Sequence, residues 1–475
     1  LNSKQKKIVS ALLISTFLAA IEVTIISTAM PRIADSLGGL ELMSWVFAIY
    51  LLTTAVSTPI WGKLSDLLGR KPIYFIGVIV FLAGSFLCGL SQTMGQLIVF
   101  RAIQGLGAGA INPVTFSMIA DAFNFEQRAR VQGLISSMWG IAGIFGPLIG
   151  GFFVDYMTWH WVFFINIPFG LVSMWMIGKH FEETLEKKKR KIDYGGAVTF
   201  TIGMTSLLYV LLSFGNEEGG DVSISTAAVL GLLAVAVVFL LLFIVIQAKH
   251  EEPMMPLQLF KIRYVAVVNA GGFLTSMILI GLTAYLPLWT QNVLEMGATA
   301  SGLTLIPLCV GWPLGAMVCS PLIARFGTRN VALLGGGLIA AGSLMLAAVT
   351  PETPAWMLVG IILVTGLGFG QASTVYVLVV QSSVDASMRG AAGSLHMLLR
   401  TLGQTIGVAV LGAALNAYIS GQSGSQQALA EGLHAVFLLA AVISLVSLAA
   451  TLWIPKAGKS GMKAAGELLP EDNRI

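Results

Sequence analysis

The chain has 475 residues, of which 56% are hydrophobic and only 11% charged, against about a quarter charged in a soluble domain, so a soluble globular fold is excluded. The net charge of +4 follows from where the bases sit rather than from an acidic partner such as a nucleic acid. Cys88, Cys309 and Cys319 all lie in apolar runs, which leaves neither a disulfide framework nor a metal-ligand spacing, and no cofactor is implied.

The first apolar run, 8–30, follows Lys4, Lys6 and Lys7 and stops at Pro31 and Arg32. It is long enough to span a bilayer and lacks a small-residue cleavage site, so it is expected to be a retained helix. Within it stands one acid, Glu22, about 21 Å from Ile8 at 1.5 Å per residue and so inside a core roughly 30 Å thick. An ionisable group at that depth is costly and marks a substrate or proton path by default. The competing reading is that Glu22 only fastens helix packing.

Further runs of spanning length fall at about 42–62, 73–92, 96–120, 129–154 and 161–180, and after a charged linker at about 194–214 and 224–247. A second linker, 248–263, precedes six more, at about 264–290, 299–323, 330–349, 354–380, 388–416 and 432–454. The expected fold is an all-α polytopic membrane protein of fourteen helices. Of the 27 lysines and arginines, all but Arg32, Arg101 and Arg400 lie in or beside segments that are cytoplasmic if the N-terminus is, whereas Glu217, Glu218 and Asp221 fall outside. Both termini are therefore expected in the cytoplasm. The cluster Lys187, Lys188, Lys189, Arg190 and Lys191 fits the same rule and favours anionic lipid headgroups without a specific partner.

Two stretches recur. Leu64, Gly69 and Lys71 return as Leu322, Gly327 and Arg329, and Gly105-Leu106-Gly107-Ala108-Gly109 returns as Gly366-Leu367-Gly368-Phe369-Gly370. The displacement is eight helices, so two helices interrupt a six-plus-six arrangement: an N-terminal bundle over 1–180, linkers and two extra helices over 181–263, a C-terminal bundle over 264–454, and a tail over 455–475. Duplicated halves are a transporter signature.

The stretch Gly62-Lys63-Leu64-Ser65-Asp66-Leu67-Leu68-Gly69-Arg70-Lys71, with Arg101 and Gln104-Gly105 in the fourth span, Gly146-Pro147-Leu148-Ile149-Gly150-Gly151 in the fifth and Thr24 through Pro31 in the first, resembles the signatures of the major facilitator superfamily. With fourteen helices the whole chain is similar to its drug:proton antiporters. The resemblance implies two six-helix bundles with two added helices and, in a bacterial cytoplasmic membrane, proton-coupled export of small amphipathic drugs by alternating access. It also implies a latch in which Asp66 holds the cytoplasmic side closed and Arg70 pairs with Asp121. The second copy has Ala324 in place of Asp66. An exporter of lipids on the same scaffold is the alternative reading.

The residues add candidates of their own. Arg101 lies at about the depth of Glu22, so the two can pair, unless the arginine snorkels to the outer headgroups. Asn112 is three turns along the same face. Gly146, Gly150 and Gly151 with Pro147 leave one face of the fifth span bare for close packing. His396 and Arg400 share a face of the thirteenth span, with no obvious local partner. Phe273, Met277, Trp312 and Gln371 sit at mid-depth, where flexible or aromatic side chains suit variable apolar ligands or simply pack. No paired carboxylates, Ser/His/Asp set or nucleotide-binding loop supports an enzyme, and the chain is expected to work as a monomer.

Overall fold

The structure is a computed structural model that describes residues 3–123, 125–183, 192–213, 226–384, 388–419 and 425–454. The basic cluster from Lys187 to Lys191, the acids Glu217, Glu218 and Asp221, and the tail 455–475 lie outside the described residues. Among the described residues, fourteen stretches of helix are long and apolar enough to cross a membrane, in the places that hydropathy and charge indicate.

In chain order the helices are α1 (Ser3–Leu37), α2 (Met43–Leu68), α3 (Arg70–Cys88), α4 (Met94–Ala122), α5 (Phe125–Tyr156), α6 (Trp161–Phe164) and α7 (Asn166–His180), followed by the added pair α8 (Tyr194–Ser213) and α9 (Thr226–Lys249). The remainder are α10 (Arg263–Asn292), α11 (Ala298–Met317), α12 (Cys319–Phe326), α13 (Thr328–Ala347), α14 (Ala355–Ser382), α15 (Arg389–Ile419) and α16 (Gln426–Thr451). Two expected single spans are interrupted. The sixth breaks at Ile165 into α6 and α7, and the tenth breaks at Val318 into α11 and α12. The cause is the same in both: Pro168 and Pro321 have no N–H to give to the carbonyls of Phe164 and Met317, and these are the last residues of α6 and α11.

The chain packs as two compact units. The first consists of Leu1–Met255, Leu279–Ile306 and Gln404–Val436; the second of Pro256–Ile278, Pro307–Gly403 and Phe437–Ile475. In the first unit α4 begins at a reciprocal cap, with Thr93 Oγ1 accepting from Gln96 N at 3.2 Å and Gln96 Oε1 accepting from Gln92 N at 2.9 Å. The turn from α2 to α3 uses Gly69 at φ 110°, and the Glu183 carboxylate accepts from the backbone N–H groups of Arg70 and Lys71. That acid completes the first turn of α3 and lies where the helix dipole favours it. Asp155, at the end of α5, likewise accepts from Ala298 N at 3.0 Å and Thr299 N at 2.8 Å and so caps α11.

The small residues of α5 serve two neighbours and not one: Gly146 and Gly150 lie on α1, whereas Gly151 lies against Ala298 and Thr299 and Pro147 against Gly302, both in α11. Thr24 Oγ1 donates to Ala142 O at 3.1 Å, and a Cβ placed on Gly150 would come within 2.5 Å of Ile25 O. We expect Gly150→Val to destabilise the protein by about 1–3 kcal/mol, the usual cost of overpacking, whereas Gly140→Ala, whose Cβ meets nothing within 4 Å, should be neutral. Thermal unfolding in detergent measures both, and equal midpoints would contradict the α1–α5 contact.

The added helices α8 and α9 pack on each other, and α8 also touches α2, where the Trp45 and Tyr209 rings lie 6.0 Å apart. Most of α9 is exposed, as suits a helix with lipid around it. The start of α8 and the end of α9 are fastened together: buried Asp193 accepts from Gly196 N at 2.7 Å and from Gln247 Nε2 at 2.5 Å, and Gln247 Oε1 accepts from Met255 N at 2.9 Å.

Candidate functional site

In the first unit the acid of α1 and the arginine of α4 meet directly. Arg101 Nη1 pairs with Glu22 Oε1 and also donates to Gln104 Oε1 at 2.8 Å. Arg101 Nε donates to Val46 O at 3.3 Å, and the guanidinium lies 4.0 Å from the centre of the Tyr50 ring. Glu22 is 0% exposed and Arg101 1%. Removal from water on this scale is tolerated only when the charges are paired and their remaining donors and acceptors are met.

The second oxygen of the carboxylate is met by a residue the sequence reading did not single out. Asn166 Nδ2 donates to Glu22 Oε2 at 2.5 Å and to Ser85 Oγ at 2.9 Å. Ser85 Oγ also accepts from Gln104 Nε2 at 3.2 Å and donates to Phe163 O at 2.8 Å. Each part of the fold sets one component. The cap at Thr93 fixes the register of α4 and hence Arg101, and Gly84 lets α3 approach Gln104 closely enough that a Cβ there would lie 2.5 Å from its Cα. Pro168 ends α6 early, which makes Asn166 the first residue of α7. Among the described residues, Asn166 Oδ1 is buried without a hydrogen-bond partner, the one such side-chain atom in this cluster.

Asn112 is half-buried on α4 and makes no hydrogen bond with Glu22 or Arg101. In the turn between α2 and α3 of the same unit Arg70 pairs with Asp66 and, through Nε, with Asp121 Oδ2 at 3.2 Å.

The remaining candidates belong to the second unit. His396 and Arg400 do have partners, on other helices. The His396 ring shares a hydrogen bond between Nδ1 and Asn269 Oδ1 at 2.9 Å and sits where a Cβ on Gly272 would come within 2.7 Å of its Cε1. Arg400 lies over Trp312, 5.9 Å from the ring centre, and Trp312 stacks on Phe369 at 5.5 Å and 11°. Met277 and Gln371 are buried, the latter with Oε1 unmet, while Phe273 is half-buried. Among the described residues no group of three or more His, Cys, Asp or Glu is arranged to hold a metal ion.

Known proteins agree with this architecture. A family model described as the Major Facilitator Superfamily matches residues 12–408. The chain is 35% identical over 433 residues to Multidrug resistance protein 3 of Bacillus subtilis, covering 89% of this chain and 84% of that protein. It is 31% identical over 454 residues to the multidrug efflux pump SdrM of Staphylococcus aureus, covering 94% and 96%. Among solved structures it superposes on the nucleoside transporter NupG with a TM-score of 0.67 at 14% identity, over 94% of this chain, a likeness of fold alone. Fourteen apolar helices and matches of this extent make the chain a multi-pass membrane protein that belongs to the major facilitator superfamily.

Proposed function

We propose that the protein exports amphipathic drugs from the bacterial cytoplasm in exchange for protons, by alternating access. The relatives named as multidrug resistance and efflux proteins support the drug class. The observation that carries the proton coupling is the buried set of Glu22, Arg101 and Asn166. A carboxylate held in an ion pair without water changes the local charge balance when it takes up a proton: the attraction to Arg101 is lost, and the arginine is left with Gln104, the Val46 carbonyl and the Tyr50 ring. Such a change can bias a two-state packing arrangement. In this reading Glu22 carries the proton, Arg101 answers its charge, and Asn166 holds its second oxygen. Phe273, Met277, Trp312, Gln371, His396 and Arg400 would face ligand from the C-terminal bundle, 264–454, and Asn112 from the N-terminal one, 1–180. The protein would act as a monomer with both termini in the cytoplasm.

The coupling is tested in proteoliposomes by comparing drug movement with an imposed pH gradient and after its collapse by a proton–potassium exchanger. Equal rates in the two conditions would remove antiport from the reading.

The latch makes a separate prediction. Asp66→Asn should cut turnover by roughly tenfold, the effect of ~1.4 kcal/mol on a two-state equilibrium, with drug affinity changed by less than about threefold, because Asp66 acts on Arg70 and Asp121 rather than on ligand. A large loss of equilibrium affinity at unchanged turnover would place Asp66 in the binding site instead.

A further inference from the structure

The two units treat their membrane arginines differently. In the first, Arg101 is neutralised by Glu22. In the second, no membrane-spanning stretch that belongs to the unit contains an aspartate or glutamate, Glu431 of α16 lying in the part of that helix that belongs to the first unit: the acids of the second unit are Glu352 in the turn before α14, Asp385 between α14 and α15, and Glu467, Glu471 and Asp472 beyond α16. Arg400 lies eleven residues into α15, is half-buried, and among the described residues meets neither a carboxylate nor a hydrogen-bond acceptor.

What it does meet is the face of Trp312, backed by Phe369. A guanidinium within about 6 Å of an indole face is attracted through that face, which leaves its N–H groups unused. One turn back on the same face, His396 is 2% exposed, and its Nε2 has no hydrogen-bond partner among the described residues. This face of α15 therefore offers an unneutralised cation beside an aromatic platform and a second unmet polar atom. An uncompensated charge at bilayer depth is expensive, and the group that meets a planar guanidinium best is a bidentate oxyanion.

We propose that Arg400, held on the Trp312–Phe369 stack, is a carboxylate-binding subsite, and that ligands of the second unit are aromatic amphiphiles bearing a carboxylate, zwitterions included. This rests on the efflux reading for its physiological meaning but is tested by binding alone.

The test uses full-length purified protein in a non-ionic detergent and a matched pair of probes, anthracene-9-carboxylate and its primary amide, which share the ring and differ in charge. Equilibrium dialysis, read by anthracene fluorescence, should show the carboxylate bound at least tenfold more tightly than the amide. Arg400→Gln should bring that ratio to within about twofold of one. Arg400→Lys, which keeps the charge and loses the fork, should retain an intermediate preference. The wild-type ratio needs no variant, so misfolding of one does not decide the outcome. Equal binding of the two probes by wild type, or a preference that survives Arg400→Gln, overturns the subsite. A preference abolished by added phosphatidylglycerol but not by phosphatidylcholine assigns the Arg400 charge to an anionic lipid headgroup and overturns it as well. Drug export is read separately in proteoliposomes, so loss of the carboxylate preference with export intact removes this subsite and leaves the efflux reading standing.

Discussion

Replacing Glu22 with glutamine should reduce proton-driven export to the level of empty liposomes while the protein still inserts and folds. The amide can accept from Arg101 as the carboxylate does, but it cannot exchange a proton. Its other end presents N–H groups to Asn166, which at present also offers N–H. The unmet Asn166 Oδ1 removes that conflict, because a half-turn of the amide lets it accept. A buried arginine stripped of its anion costs about 3–5 kcal/mol when nothing else holds it. Here Gln104, Val46 O and the Tyr50 ring remain, so the expected result is lower stability without loss of fold. The measurement is drug movement under an imposed pH gradient, alongside thermal unfolding in detergent. Full gradient-driven export by Glu22→Gln would exclude Glu22 as the proton carrier.

Arg101→Ala should be the more damaging change, lowering stability by about 3–5 kcal/mol, because it leaves a buried carboxylate with neutral amide partners and no cation, and opens a cavity beside Tyr50. Arg101→Lys should recover only part of the loss: a single ammonium cannot copy a planar group that serves Glu22, Gln104 and the Val46 carbonyl together. The informative comparison is the double variant Glu22→Gln with Arg101→Ala, in which both charges go. It should unfold at a higher temperature than Arg101→Ala and still show no gradient-driven export. If the double variant is instead the least stable of the set, by the full sum of the single losses, the two residues are not coupled and the ion pair does not organise the unit.

Glu22 and Arg101 were legible in the sequence because a charge inside an apolar run stands out, and rise per residue places the two at one depth. The fourteen spans were legible for the related reason that charged linkers bound them. Asn166 was not. It is neutral, lies just inside the start of a span, and by composition reads as a polar residue near the headgroups. Its only signal is Pro168 two positions on, which ends α6 and turns an ordinary mid-helix position into the head of α7. The partner of His396 was hidden differently: Asn269 lies on another helix, 127 residues away in the chain. Sequence spacing reports neighbours on one helix and is blind to contacts made across the bundle. The interruption at Val318 escaped because apolar composition runs straight through it, and only the backbone chemistry of Pro321 marks it.

The bond from Gln247 to Asp193 has a consequence for how this chain came to carry two more helices than a six-plus-six plan requires. Asp193 is the last residue before α8 and Gln247 lies in the final turn of α9, so the polypeptide arrives at the pair and departs from it one hydrogen bond apart. Topologically the pair is a closed detour. The entropy of bringing its ends together is offset largely within the pair, by its own helix packing and by this polar clasp. A segment with this property can be gained by an ancestral gene, or lengthened or shortened at its outer tip, without redrawing the path of the chain on either side.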